Sequence, residues 1–187
     1  MSTAVNPDSP TTVSTWTIDP VHSVAEFKVR HMMVSNIKGQ FTSLRGVLNL
    51  DAEDVTRSYI EGEIDAASVT TRDTQRDAHL KSADFFDTER FPTLSFMSTR
   101  VARAANGSLD VTGDLTIHGI TRRVVFSVDG PTAQHKDPWG NVKIGASATT
   151  HINRKDFGLV WNAALETGGL LVGDEVTITL EIEFTKA

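Results

Sequence analysis

The chain has no cysteine in its 187 residues, which excludes disulfides, thiolate metal centres and cysteine nucleophiles together. Stability must therefore come from packing. Long apolar runs are missing too: none approaches the roughly 20 residues that a spanning helix needs, so no membrane span is expected. Grouped lysines and arginines are scarce and the formal net charge is −6. That balance speaks against a phosphate-backbone partner and removes nucleic acid from the candidate ligands. The opening stretch MSTAVNPDSPTTVST has neither a basic start nor an apolar h-region. The expectation is a cytoplasmic chain whose residues 1–14 form a disordered arm, followed by one domain over residues 15–187.

Motifs that announce chemistry are equally sparse. The six histidines, His22, His31, His79, His118, His135 and His151, show no H-E-x-x-H or comparable metal spacing. Gly145-Ala146-Ser147-Ala148-Thr149 lacks the second glycine of a nucleophile elbow. Gly168-Gly169-Leu170-Leu171-Val172-Gly173 has neither the lysine nor the following helix of a phosphate loop. The carboxylate pairs Asp84 with Asp87 and Glu61 with Glu63 fit a wet strand face or a loop as well as an acid–base site. No catalytic set, metal site or cofactor is expected. By elimination, the sequence favours binding over catalysis.

What is present is period-two alternation, the mark of a half-buried strand. It runs through Trp16–His31 once Pro20 is passed, with Ala25, Phe27, Val29 and His31 on one face. Ile37–Leu50 follows, changing parity between Phe41 and Leu44, which predicts a bulge or bend. Tyr59–Ser68, Thr93–Ala102, Ser108–Ile117, Thr121–Asp129, Val142–Ile152 and Asp174–Thr185 complete eight strands, each with a single apolar face. An eight-stranded antiparallel barrel is the economical architecture, because closure removes edge strands; a sandwich is the competitor. Small residues at or near inward positions (Ala25, Gly39, Ser43, Gly62, Gly113, Ala146 and Ala148) predict that the interior is hollow.

One segment departs from this pattern. Thr71–Leu80 reads as a helix with Thr70 and Asp73 as a weak capping box, and its only apolar residues are Ala78 and Leu80. It is too polar to fill a core. Either it is a solvated connection, or, together with Phe85 and Phe86, the helical segment of about residues 71–90 covers a barrel mouth.

Several motifs in order carry a resemblance: Trp16-x-Ile18-Asp19-Pro20-x-His22-Ser23, Phe27 and His31, Gly39-x-Phe41, Arg76-Asp77-x-His79-Leu80, Asp84-Phe85-Phe86-Asp87, Phe91-Pro92, Gly113-x-Leu115-Thr116-x-His118-Gly119-x-Thr121 and Arg154-x-x-Phe157-Gly158. From about Thr15 to Thr185 the chain resembles the YceI-like family of bacterial polyisoprenoid-binding proteins. The resemblance implies an all-β, lipocalin-like barrel with a helix near its mouth, which binds, stores or transports a long isoprenoid, or a quinone-like lipid, in an apolar tunnel. On that basis the tail is expected along Phe27, Val29, Phe41, Phe96, Val111, Ile144, Ala148 and Ile178. Arg76, His79 and His31 are expected near the polar head, with Phe85, Phe86 and Trp161 at the same site. The expected partner is this hydrophobic small molecule, with a homodimer left open. Two further readings stand beside it: an enzyme using His31 or His79 as proton carrier on a bound lipid, and a ligand-free, stress-associated interaction domain with a filled barrel.

Overall fold

Alternating stretches become sheet, and a computed structural model describes residues 12–187. The strands are β1 (Val13–Ile18), β2 (Val24–His31), β3 (Ser35–Phe41), β4 (Leu44–Asp51), β5 (Tyr59–Asp65), β6 (Val69–Thr70), β7 (Thr93–Arg103), β8 (Leu109–Ile117), β9 (Ile120–Asp129), β10 (His135–Lys136), β11 (Val142–Asn153) and β12 (Val172–Lys186), with one helix, α1 (Thr74–Lys81). β1 begins at Val13, two residues inside the span expected to be an arm; residues 1–11 lie outside the described residues.

These strands make an eight-stranded closed barrel, because three pairs are single staves interrupted partway. β1 and β2 both pair with β12, β4 and β3 pair with them in turn, and β5 and β6 continue the order. From there β7, β8, β9, β11 and β12 follow antiparallel in sequence order, and β12 returns to the first stave. β10 is a short addition on β11.

The interruptions have local causes. Pro20 cannot donate to the ladder, and Ser23 substitutes a side chain for backbone: its Oγ accepts from Glu183 N at 3.0 Å. At the second break, Ser68 Oγ accepts from Thr42 N and Ser43 N, both at 3.2 Å, which lets Phe41 and Leu44 both face inward. In β7 the register shifts between Ser98 and Arg100, so that Ser98 and Val101 share the inner face.

The helix differs from its expected start. Asp73, not Thr70, is the N-cap, with its carboxylate accepting from Arg76 N at 2.8 Å. Thr70 is paired in β6, and Thr71 instead donates to Asp77 Oδ1 through both N and Oγ1, at 2.7 and 2.6 Å.

One seam is thin. β9 and β11 pair only over Ser147↔Asp129, Ala148↔Val128 and Thr149↔Ser127. Beyond it, the 3-10 turn Arg154–Phe157 packs toward β9, and buried Phe157 joins Leu115, Ile117 and Ile152 in the main apolar cluster.

Candidate functional site: an apolar cavity with an aromatic rim

Inward residues of every stave enclose a cavity of about 410 Å³, within the range of small-molecule sites. Its wall is almost wholly apolar. β12 presents Val176, Ile178, Leu180 and Ile182 to it, and these remain only half-buried although they point inward. Toward the chain termini the space closes: Trp16 is 0% exposed and packs with Leu50, Ile144 and Phe184, while Val101, Leu109 and Val111 form the adjoining cluster.

Thirteen of the fourteen residues expected at the site line the cavity together: Phe27, Val29, His31, Phe41, Arg76, His79, Phe85, Phe86, Phe96, Val111, Ala148, Trp161 and Ile178. Ile144 does not. Its parity is inward as expected, but it packs in the cluster of Trp16, Leu50 and Phe184 and does not line the cavity. The glycine expectation also needs correction. A Cβ on Gly39 would lie 2.2 Å from the Phe27 ring, and one on Gly113 would lie 2.4 Å from the Phe96 ring. Their missing side chains are filled by rings from the neighbouring strand, so they leave no void. The open wall belongs to Gly62, Ala146 and Ala148.

At the other end, the site is bounded by α1, the turn after it, the β2–β3 hairpin and the long connection from Gly158 to Leu171. α1 buries no residue completely and turns Arg76, His79 and Leu80 to the cavity. His79, Phe85 and Trp161 form an aromatic trio, with ring centroids 4.7 Å apart for His79–Trp161, 5.1 Å for His79–Phe85 and 5.4 Å for Phe85–Trp161. His79 Nε2 meets Asp84 Oδ2 at 2.8 Å. Arg76 is tied down by Nε to Thr71 Oγ1 at 2.7 Å and Nη2 to Thr71 O at 3.0 Å. Burial raises the Asp77 carboxyl, but hydrogen bonds from Thr71 and Thr70, together with the Arg76 charge, outweigh it and hold the group below its ordinary value.

Sequence reasoning singled out Trp161 but missed what holds it. Arg154 is 3% exposed. It donates from Nε to Gly173 O at 2.8 Å, and from Nη1 to Leu159 O at 2.6 Å and Trp161 O at 2.9 Å. Burial lowers its pKa, opposed by Asp174, whose carboxylate lies 3.6 Å from Nη2. Arg154 stands in a motif of the family resemblance, but nothing in strand periodicity signals a buried cation that collects carbonyls.

One polar cluster lies outside the cavity wall. Asp19, His22 and Glu183 could together offer metal ligands. The ammonium of Lys143 already sits among them, 2.6 Å from Asp19 Oδ2 and 3.1 Å from Glu183 Oε1. The hydrogen bond from Lys143, then that from His22, hold the Asp19 carboxyl far below its usual range, and Asp19 in return raises both partners. The lysine occupies the space between the two carboxylates and offsets one of their charges.

Comparison with known proteins agrees with this architecture. A UPF0312 protein of Staphylococcus aureus strain MSSA476 is 35% identical over 173 residues, 92% of this chain and 98% of the relative. A UPF0312 protein of Vibrio cholerae strain M66-2 is 38% identical over 138 residues, 74% of this chain and 72% of the relative. Among solved structures, the Campylobacter jejuni YceI protein superposes with a TM-score of 0.71 at 27% identity, covering 86% of this chain and 91% of that one. A polyisoprenoid binding domain from Saccharophagus degradans shares the fold, with a TM-score of 0.65 at 15% identity over 92% of this chain and 98% of that one. The profile of the YceI-like domain matches residues 16–184, and the chain belongs to the YceI-like family.

Proposed function

We propose that the chain binds a long-chain isoprenoid or related amphipathic lipid in the cavity, as a storage or transport protein that does no chemistry on it. The observation that carries this reading is the half-exposed inner face of β12. Val176, Ile178, Leu180 and Ile182 turn apolar surface into a 410 Å³ space that no side chain of the barrel fills. Each Å² of that surface covered by a tail contributes roughly 25 cal/mol, which must exceed the several kcal/mol that association costs. Such a site selects for apolar length, with little demand on chemical detail. Support also comes from the shared fold of the polyisoprenoid binding domain. The tail would run along Phe27, Phe41, Phe96 and Ile178, with the polar head beside His31, Arg76 and His79.

Native mass spectrometry of the purified chain, followed by organic extraction, tests the proposal. An adduct that extracts as a lipid is expected. Ala148→Trp should fill the space from a wall position and abolish the adduct while the far-UV spectrum stays that of a barrel. Equal lipid recovery from this variant and the parent would sink the proposal. Gly113→Trp is not a suitable probe, because Phe96 and Met97 O already occupy that position.

A further inference from the structure

The β2–β3 hairpin ends in a turn that its own residues disfavour. Met32 and Met33 lie in the left-handed region, at φ 52° and 59°, and Val34 N donates to His31 O at 3.0 Å. Three residues separate the paired His31 and Ser35, and the two at positive φ occupy positions that favour Asn or Gly, where an L side chain without a local hydrogen bond is strained. The same residues are poorly placed for solvation: Met33 is 65% and Val34 78% exposed. Strain combined with exposed apolar surface gains nothing for folding, and such outliers gather at sites that meet a ligand or partner.

This tip adjoins the cavity mouth. Met32 N donates to Leu171 O at 2.8 Å, and both His31 and Leu171 line the cavity. Leu170, beside Leu171, and Val160, between the two carbonyls held by Arg154, add further exposed apolar surface on the same connection. Behind the tip, the outer faces of β2 and β3 carry Lys28, Arg30 and Lys38, and no carboxylate occurs between Glu26 and Asp51. Lys28 and Lys38 are direct cross-strand partners, an unfavourable pairing of like charges. Among the described residues none of the three cations takes part in an ion pair. On a chain of net charge −6, these three cations outnumber the single carboxylate, Glu26, on the outer faces of β2 and β3.

We infer that the β2–β3 hairpin docks the barrel on an anionic lipid bilayer. Met32, Met33 and Val34 enter the acyl boundary, and Lys28, Arg30 and Lys38 meet lipid phosphates. Neither signal suffices alone, since stable surface attachment takes an apolar insertion together with basic charge. The inference rests on the lipid-binding reading for its purpose: docking there sets the cavity mouth against the phase that holds the lipid.

The test is co-sedimentation of the full chain with vesicles of phosphatidylglycerol and phosphatidylcholine in equal parts, against vesicles of phosphatidylcholine alone. The chain should pellet with the anionic vesicles and be released by salt. Replacing Lys28, Arg30 or Lys38 by Gln should weaken binding about fivefold each. The double substitution Met32→Asn with Met33→Gly should weaken it more than about tenfold. The same double variant should melt at a higher temperature, because its turn chemistry improves. A purely structural role for the methionines predicts the opposite change in melting. Undiminished vesicle binding by this variant, or no binding by the parent chain, overturns the inference. A concentration-dependent dimer that the double variant abolishes also overturns it, by assigning the patch to a second copy. Uptake of a soluble fluorescent fatty acid without vesicles reads the cavity separately. If the parent pellets with vesicles but takes up no probe, the cavity proposal fails and docking stands; if the double variant loses uptake, the tip shapes the cavity and docking falls.

Discussion

Trp16 and Trp161 stand at opposite ends of one barrel. Trp16 is fully enclosed by Leu50, Ile144 and Phe184, and its indole N–H is spent on Ser14 Oγ at 2.9 Å. Trp161 is half-buried, meets His79 edge-on and Phe85 at a tilt, and is positioned by a hydrogen bond to its carbonyl from Arg154. The first is held by packing and the second by a tether. One end of the barrel therefore behaves as a protein core and the other as a site, although the same strands run through both. β12 makes the contrast within a single element: Phe184 is 2% exposed, while Ile178, three pleats away on the same face, looks into open space.

The largest expected effect comes from the two tryptophans. Trp16→Ala should cost about 3–5 kcal/mol in denaturant unfolding. Trp161→Ala should stay within about 1 kcal/mol and instead speed the loss of a bound lipid probe. If the two variants proved equally destabilising, the division of the barrel into a packed end and an open end would be wrong. A finer version uses two isoleucines of inward parity. Ile144→Ala should cost about 3 kcal/mol, because it opens a new void. Ile178→Ala should cost about 1 kcal/mol, because its neighbourhood is already empty. Equilibrium unfolding of both variants decides this.

The smallest effect is one of pH at the packed end. Asp51 accepts from Arg57 Nε at 2.8 Å and from Glu53 N and Asp54 N, both at 3.0 Å. Led by Arg57, these bonds lower its pKa from 3.8 to about 2. A depressed carboxylate stabilises the fold fully above its unfolded value and loses that contribution as pH falls through the folded one. The stability gap between the parent and Asp51→Asn should therefore be constant at neutral pH and close between pH 3.8 and about 2. A gap that persisted at the acid end would remove Asp51 from the account.

Much of this architecture was legible because alternation reports side. The staves and their inward faces follow from it, while the helix shows there only as a polar interruption whose place at the mouth is implied by the family resemblance alone. Alternation does not report whether an inward side chain meets another one. Ile144 and Ile178 read alike in the sequence, and only their positions along the barrel separate them. The glycines misled for a related reason: Gly39 and Gly113 are small because Phe27 and Phe96 lie over them, and a cross-strand ring cannot be seen from one strand. Arg154 stands out in the sequence only as part of a family motif. A buried guanidinium that gathers carbonyls distant in sequence depends on how the connection folds back, which no local pattern encodes.

That guanidinium changes what the connection from Gly158 to Leu171 is. By gripping Leu159 O and Trp161 O on one side and Gly173 O on the other, it pins the two ends of the segment to a common post. Closure entropy depends on the length of chain left free between fixed points, so in the polymer sense the strap that carries Trp161 is a short span hung from a rigid nail.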